Sequence, residues 1–174
     1  MKYHKYAYYA YAAGLIDADG TIGIYRNNKN QKTGGGCILK VSIQQADRRA
    51  IDFLAGFFGG RAMQRKDEDA WCWYRYGPKA LELLKKIEPF LRIKRDQARL
   101  AIRFELYRQR AERYTLCSGS PIGNFSDEAR IKLMWFHDQM RELKQPQRPS
   151  LYHPQRLSET TLEYERSDSL TLSE

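Results

Sequence analysis

One stretch near the start of the chain limits the possible folds more than any other. From about Tyr6 to Ala18 the sequence reads as a helix, which meets Asp17-Ala-Asp-Gly20 and then the strand pattern Thr21-Ile-Gly-Ile-Tyr25. Ala10, Ala13, Gly14 and Asp17 stand at i, i+3, i+4 and i+7, one helix face made of very small residues. Tyr9, Ala12 and Ile16 lie on a neighbouring face, and Gly20 stops the helix. Asp17 and Asp19 place two carboxylates where the helix dipole is already negative, a local conflict expected mainly at functional sites. A divalent cation would resolve it, since hard oxygen ligands suit Mg²⁺. Ordinary turn chemistry between a helix and a strand explains Asp-Ala-Asp-Gly equally well. A calcium loop of the EF-hand kind is excluded, because that register puts Leu15 at the first ligand position and Arg26 at the last.

The rest of the chain supplies a sheet and further helices. Asn27 to Gly36 is a polar, Gly-rich hairpin loop, and Cys37 to Gln44 is a second strand with Leu39, Val41 and Ile43 on one face. A helix is predicted near Asp47 to Phe58, with Ile51, Leu54, Ala55 and Phe58 as its apolar stripe. Strands near Arg61–Arg65 and Trp71–Tyr76 flank a turn that begins at Lys66. Pro78 opens a helix with Ala80, Leu84, Ile87 and Leu91 inward, and a basic helix follows over about Arg95 to Tyr114. Ser126 caps a last helix, with Ala129, Leu133, Phe136, Met140 and Leu143 as its core stripe. The expected architecture is α+β: a mixed or antiparallel four-stranded sheet in the order α-β-β-α-β-β-α, extended by C-terminal helices. Residues 1–150 form the expected domain and 151–174 a Ser/Thr/Leu-rich acidic tail.

Composition narrows the partner. The 174 residues carry 30 Lys and Arg against 21 Asp and Glu, a net charge of +9. From Tyr152 onward there are two Arg and five acids, so the body to residue 151 holds 28 basic and 16 acidic side chains, or +12. A body that basic favours a polyanion, nucleic acid before an anionic membrane surface. No apolar run reaches the length of a membrane span, and the Tyr/Ala-rich start lacks a signal-peptide core. Cys37, Cys72 and Cys117 are too widely spaced for a disulfide framework or a zinc pair, which points to an intracellular, reducing compartment and not to secretion. His4, His137 and His153 stand alone, so hydrolytic chemistry is expected to work without a histidine base.

Ala12-Ala-Gly-Leu-Ile-Asp-Ala-Asp-Gly20 resembles the signature of the LAGLIDADG homing endonucleases in eight of nine letters, with Ala12 in place of the leading Leu. Phe58-Gly-Gly60 and Pro89-Phe-Leu-Arg-Ile-Lys-Arg-Asp-Gln-Ala98 look like later landmarks of the same family, and the resemblance covers about residues 6–110. It implies a homing endonuclease-like fold and site-specific, double-strand DNA cleavage that depends on Mg²⁺, with Mn²⁺ or Ca²⁺ able to occupy the site. One motif in the chain implies a homodimer. Ala10, Ala13, Gly14 and Asp17 would form its helix contact, and the DNA target would be long and near-palindromic.

The resemblance also implies roles for single residues. Asp19 is the direct metal ligand, assisted by the backbone carbonyl of Ala18, while Asp17 supports either the turn or the groups behind the metal ligands. Lys94 matches the family's active-site lysine and Gln45 its glutamine; Arg49 is the matching basic partner, with Arg48 a close rival. The sheet would read DNA through Thr21, Tyr25, Asn27 and Lys29 of the first hairpin arm and Lys40, Ser42 and Gln44 of the second. Gln64, Lys66 and Arg75 are further candidates, the facing of strands three and four being open. Two rival readings share the fold, an intron RNA-splicing maturase acting on its own intron and a DNA-binding protein without catalysis. The intact Asp17 and Asp19 weigh against the latter.

Overall fold

The computed structural model describes residues 3–26, 36–65, 69–111 and 125–145. Helix α1 (Tyr3–Asp19) passes into strand β1 (Gly20–Arg26) with no intervening loop. Gly20 makes that junction possible: a Cβ there would sit 2.6 Å from the Ile16 Cα. Strand β2 (Cys37–Gln45), helix α2 (Arg48–Phe58), and strands β3 (Arg61–Gln64) and β4 (Trp71–Tyr76) follow, then helices α3 (Gly77–Ile87), α4 (Arg95–Arg110) and α5 (Asp127–Lys144). A short 3-10 turn, Glu88–Phe90, links α3 to α4.

Helix starts follow local chemistry. The Asp47 carboxylate accepts from the Arg49 backbone N–H at 2.8 Å and caps α2. Ser126 Oγ accepts from the Ala129 N–H at 3.2 Å and caps α5, as its Ser-Asp-Glu start predicts. Pro78 stands in the first turn of α3.

The sheet is antiparallel throughout, in the order β1-β2-β4-β3. Its register sorts the side chains into two faces, because directly opposed residues point the same way. Ile22 opposes Val41, and Ile43 opposes Trp73, which opposes Ala62. This face is covered by the helices: Ile22, Leu39, Val41 and Trp73 have no exposed area and meet Ile16, Leu54, Leu84 and Phe104. The other face carries Thr21, Tyr25, Lys40, Ser42, Gln44, Arg61, Cys72, Tyr74 and Tyr76 and stays open.

Two expectations, one about α1 and one about α5, change. Ala13 is fully buried in the core of its own chain beside Ala12 and Ile16, so it does not belong to the small exposed face. That face consists of Ala7, Ala10, Tyr11, Gly14 and Ala18, and a Cβ on Gly14 would meet nothing within 4 Å. Leu143 is 39% exposed near the end of α5 and drops out of the core stripe. Between Lys5 and Asp17 there is no charged residue, so α1 is apolar on its exposed side as well as its buried one. A helix without a polar face belongs between two packed layers.

Candidate active site

The end of α1 resolves the dipole conflict with protein groups. Lys94 Nζ donates to the carbonyl oxygens of Ile16 (2.8 Å), Asp17 (2.6 Å) and Ala18 (3.4 Å), placing a cation on the helix C-terminus. Burial lowers the pKa of this ammonium from its ordinary value, against the upward pull of Asp17 and Asp19. Asp17 turns inward. Its carboxylate accepts the backbone N–H groups of Arg92 (2.6 Å), Ile93 (3.2 Å) and Lys94 (2.9 Å), which fixes the turn that presents the Lys94 side chain. The two residues therefore clamp the start of α4 to the end of α1 from both directions.

Asp19 points the other way. It is exposed and lines a depression of about 320 Å³ on the open face, together with Thr21, Lys40, Ser42, Gln44 and Tyr74. Its Oδ2 accepts from Gln45 Nε2 at 2.6 Å. The structure thus brings Asp19, Gln45 and Lys94 to one helix end, with the Ala18 carbonyl beside them. It holds Arg49 elsewhere: Nε and Nη2 bond the Asp47 carboxylate at 3.1 and 2.6 Å, and the side chain is 91% exposed. Those bonds, with the Arg49 backbone N–H, hold the Asp47 carboxyl at about 2. Arg48 pairs with Asp52 at 3.0 Å and lies over the Trp71 ring, 4.5 Å from its centroid.

Thr21, Tyr25, Lys40, Ser42 and Gln44 all lie on the open face. Gln64 and Arg75 do not: Gln64 opposes Trp71 and Arg75 opposes Val41, so both point to the helix-covered side. Arg75 runs beside Gly59 and Gly60 there. Asn27, Lys29 and Lys66 lie outside the described residues. Sequence reasoning missed Arg61, Arg65, Tyr74, Tyr76 and Lys144. Arg65 donates to the Gln44 Oε1 at 3.0 Å, and Lys40 Nζ stands over the rings of Tyr25, Tyr74 and Tyr76 at 5.8, 5.5 and 5.9 Å from their centroids. The alternation of β4 held the signal for the tyrosines once Trp73 faced the core.

The sequence profile of the LAGLIDADG endonuclease family matches residues 12–95, the span that holds Asp19, Gln45 and Lys94. Residues 12–95 belong to that family. Site-specific DNA cleavage is the activity of that family. No curated protein matches in sequence. Among solved structures, the homing endonuclease I-CvuI in complex with its target shares 18% identity at a TM-score of 0.67, over 84% of this chain and 87% of that one. The archaeal intron-encoded homing endonuclease I-Vdi141I complexed with DNA shares 15% at a TM-score of 0.63, over the same fractions. The I-SmaMI LAGLIDADG homing endonuclease bound to cleaved DNA shares 14% at a TM-score of 0.59, over 78% of this chain but only 44% of that one. These likenesses establish the homing endonuclease fold, an α+β architecture on an antiparallel four-stranded sheet.

Metal chemistry in a LAGLIDADG endonuclease asks for hard oxygen donors, and this helix end offers the Asp19 carboxylate and the Ala18 carbonyl. Among the described residues no cluster of three or more His, Cys, Asp or Glu forms a closed cage. One carboxylate and one carbonyl form a partial donor set for a hard divalent cation, whose remaining positions waters and substrate phosphates can fill. No helix among the described residues is long and apolar enough to cross a membrane.

Proposed function

We propose that two copies of the chain pair through the exposed faces of their α1 helices and cut both strands of a near-palindromic DNA duplex. The observation that carries this reading is the division of labour between Asp17 and Asp19. The inner carboxylate is consumed by three backbone N–H groups, and the outer one is left at the head of the groove with a single amide partner. The exposed Ala7, Ala10, Gly14 and Ala18 allow two such helices to approach closely, and a two-fold contact there brings both Asp19 residues beside the dyad. The chain accounts for most of the I-CvuI chain but less than half of the I-SmaMI chain, as a single half of a symmetric catalyst would.

Asp19 and the Ala18 carbonyl would hold a divalent ion, Mg²⁺ by the hardness of the donors, with Mn²⁺ or Ca²⁺ able to bind. Such an ion, when bound, lowers the pKa of water and neutralises charge on the phosphate and the leaving oxygen. The chain's own groups do the positioning. Gln45 fixes the rotamer of Asp19 by its 2.6 Å bond, and Lys94 holds the terminal carbonyls of α1 and adds positive charge beside the scissile phosphate. Arg49 joins this ring by leaving Asp47, which its exposure permits. The open face enters the major groove as a β-ribbon, with Thr21, Tyr25, Lys40, Ser42 and Gln44 toward base edges. The reduced Cys37 and Cys72 fit an intracellular setting.

The test is cleavage of a plasmid carrying a candidate insertion site, with and without Mg²⁺, by wild type and by Asp19→Asn. Mg²⁺-dependent double-strand cuts by wild type, with binding but no cuts by the variant, support the assignment. Equal cutting by both removes Asp19 from the reaction. Sedimentation should give a dimer; a monomer at working concentration contradicts the α1 pairing.

A further inference from the structure

The last turn of α5 ends in Lys144, far outside the span matched by the family profile. Helix α5 packs behind β1, which is an edge strand of the sheet. Its terminal ammonium nevertheless reaches the open face. A Cβ placed on Gly23 would lie 2.9 Å from Lys144 Nζ and 2.5 Å from the Tyr25 ring. Gly23 opposes Lys40 in the register and shares the face of Thr21 and Tyr25. The missing side chain at position 23 is thus the gap through which Lys144 passes around the edge strand. Lys144 Nζ and Lys40 Nζ flank the same Tyr25 ring, at 5.5 and 5.8 Å from its centroid.

This arrangement collects positive charge around one tyrosine ring. Among the described residues, Lys40 and Lys144 form no ion pair with a carboxylate. Burial lowers the Lys144 pKa, and the neighbouring Lys94 lowers it further. Cations gathered and partly desolvated with no carboxylate partner are unfavourable unless an external anion completes them. A single ammonium arriving at the margin of a β-ribbon lies toward the wall of a DNA groove, which is built of phosphates, and a compact point charge suits a phosphate oxygen.

We infer that Lys144 is a DNA-backbone contact, delivered by the last turn of α5 through the gap at Gly23 to the margin of the open sheet face. The inference rests on the reading of that face as the DNA surface. It gives Gly23 a role of its own, since any side chain there would push the ammonium away.

The experiment is binding of a random-sequence DNA duplex by fluorescence anisotropy across a salt series. Lys144→Gln should reduce the slope of log affinity against log salt by about 0.9 per protomer, or about 1.8 per dimer. The affinity lost between about 50 and 200 mM salt then shrinks about tenfold. Gly23→Ser should give the same reduction, and the double variant no more than either single one. Lys132→Gln removes the same charge from a lysine that lies over Trp135 instead, and should leave the slope unchanged. An unchanged slope for Lys144→Gln, or an equal change for Lys132→Gln, overturns the assignment while duplex binding by wild type stands. Wild type that shows no salt-dependent duplex binding overturns both the assignment and the DNA reading of the face.

Discussion

The inner and outer sides of the α1 terminus differ in what they ask of the same residue type. On the inner side, Asp17 meets three backbone N–H groups of the Arg92–Lys94 turn, and Lys94 returns its ammonium to the helix carbonyls. On the outer side, Asp19 has one side-chain partner, Gln45, and faces the groove. Two carboxylates separated by one alanine thus divide into a structural lock and an outward-facing acid at the head of the groove. Proximity in sequence says nothing about which is which; the direction each leaves the helix decides it.

The sharpest way to break this contrast is to remove each acid separately. Asp19→Asn should lower cleavage by well over the roughly 100-fold that loss of a supporting residue costs, with an unchanged melting temperature. Asp17→Ala should destabilise the fold by about 2–4 kcal/mol, because it strands backbone donors that a charged acceptor satisfied. Thermal unfolding followed by circular dichroism separates the two. A stable Asp17→Ala protein that still positions Lys94 would dissolve the distinction. Gln45→Leu should fall between them, with cleavage reduced about 10–100-fold and stability held, since it frees the Asp19 rotamer without exposing core.

The two faces of the sheet carry the same comparison outward, and they show what could be read in advance. The alternation Leu39, Val41, Ile43 declared the inner face of β2, and the Ser126 cap declared the start of α5. That Asp19, Gln45 and Lys94 meet at one helix end was legible through the motif and its landmarks. The parity of β4 was not, because Trp71, Trp73, Tyr74 and Tyr76 offer bulk on both faces. The register settles it by setting Trp73 against Ile43 and Ala62, where its indole N–H donates to the Gly59 carbonyl at 2.9 Å. Arg75 then has to point inward and Tyr74 and Tyr76 outward. The partners of Asp17 were illegible for another reason, being backbone groups 75 to 77 residues away. Backbone donors leave no trace in residue identity.

Lys40 and Arg75, opposite in facing, make that reading testable. Lys40→Ala should weaken binding to a cleaved target by about 1–3 kcal/mol if the ammonium reads a base edge, and should change the preferred base at one position in each half-site. Arg75→Ala should leave base preference unchanged and act on stability alone. Selection of preferred sites from a randomised library distinguishes them, and a preference shift from Arg75→Ala would mean that β4 is read from the wrong side.

The smallest effect belongs to Arg49, whose position can be followed through its partner. Asp47 titrates at about 2 instead of near its ordinary 3.8, because the Arg49 side chain and backbone N–H bond its charged form. A carboxyl held low in the fold contributes stability above its unfolded value and loses it as pH falls from about 4 toward 2. Arg49→Ala should return the Asp47 midpoint most of the way to the ordinary value, with the remaining backbone bond keeping it slightly low. If Arg49 joins the ring around Asp19 when DNA binds, the same upward movement should occur in wild-type Arg49 protein carrying Asp19→Asn, bound to its uncut target. Carboxyl NMR titration of Asp47 reads both. A midpoint unmoved by DNA would keep Arg49 at the N-terminus of α2, and the cut would then rest on Asp19, Gln45 and Lys94, with cleavage by Arg49→Ala falling less than about tenfold.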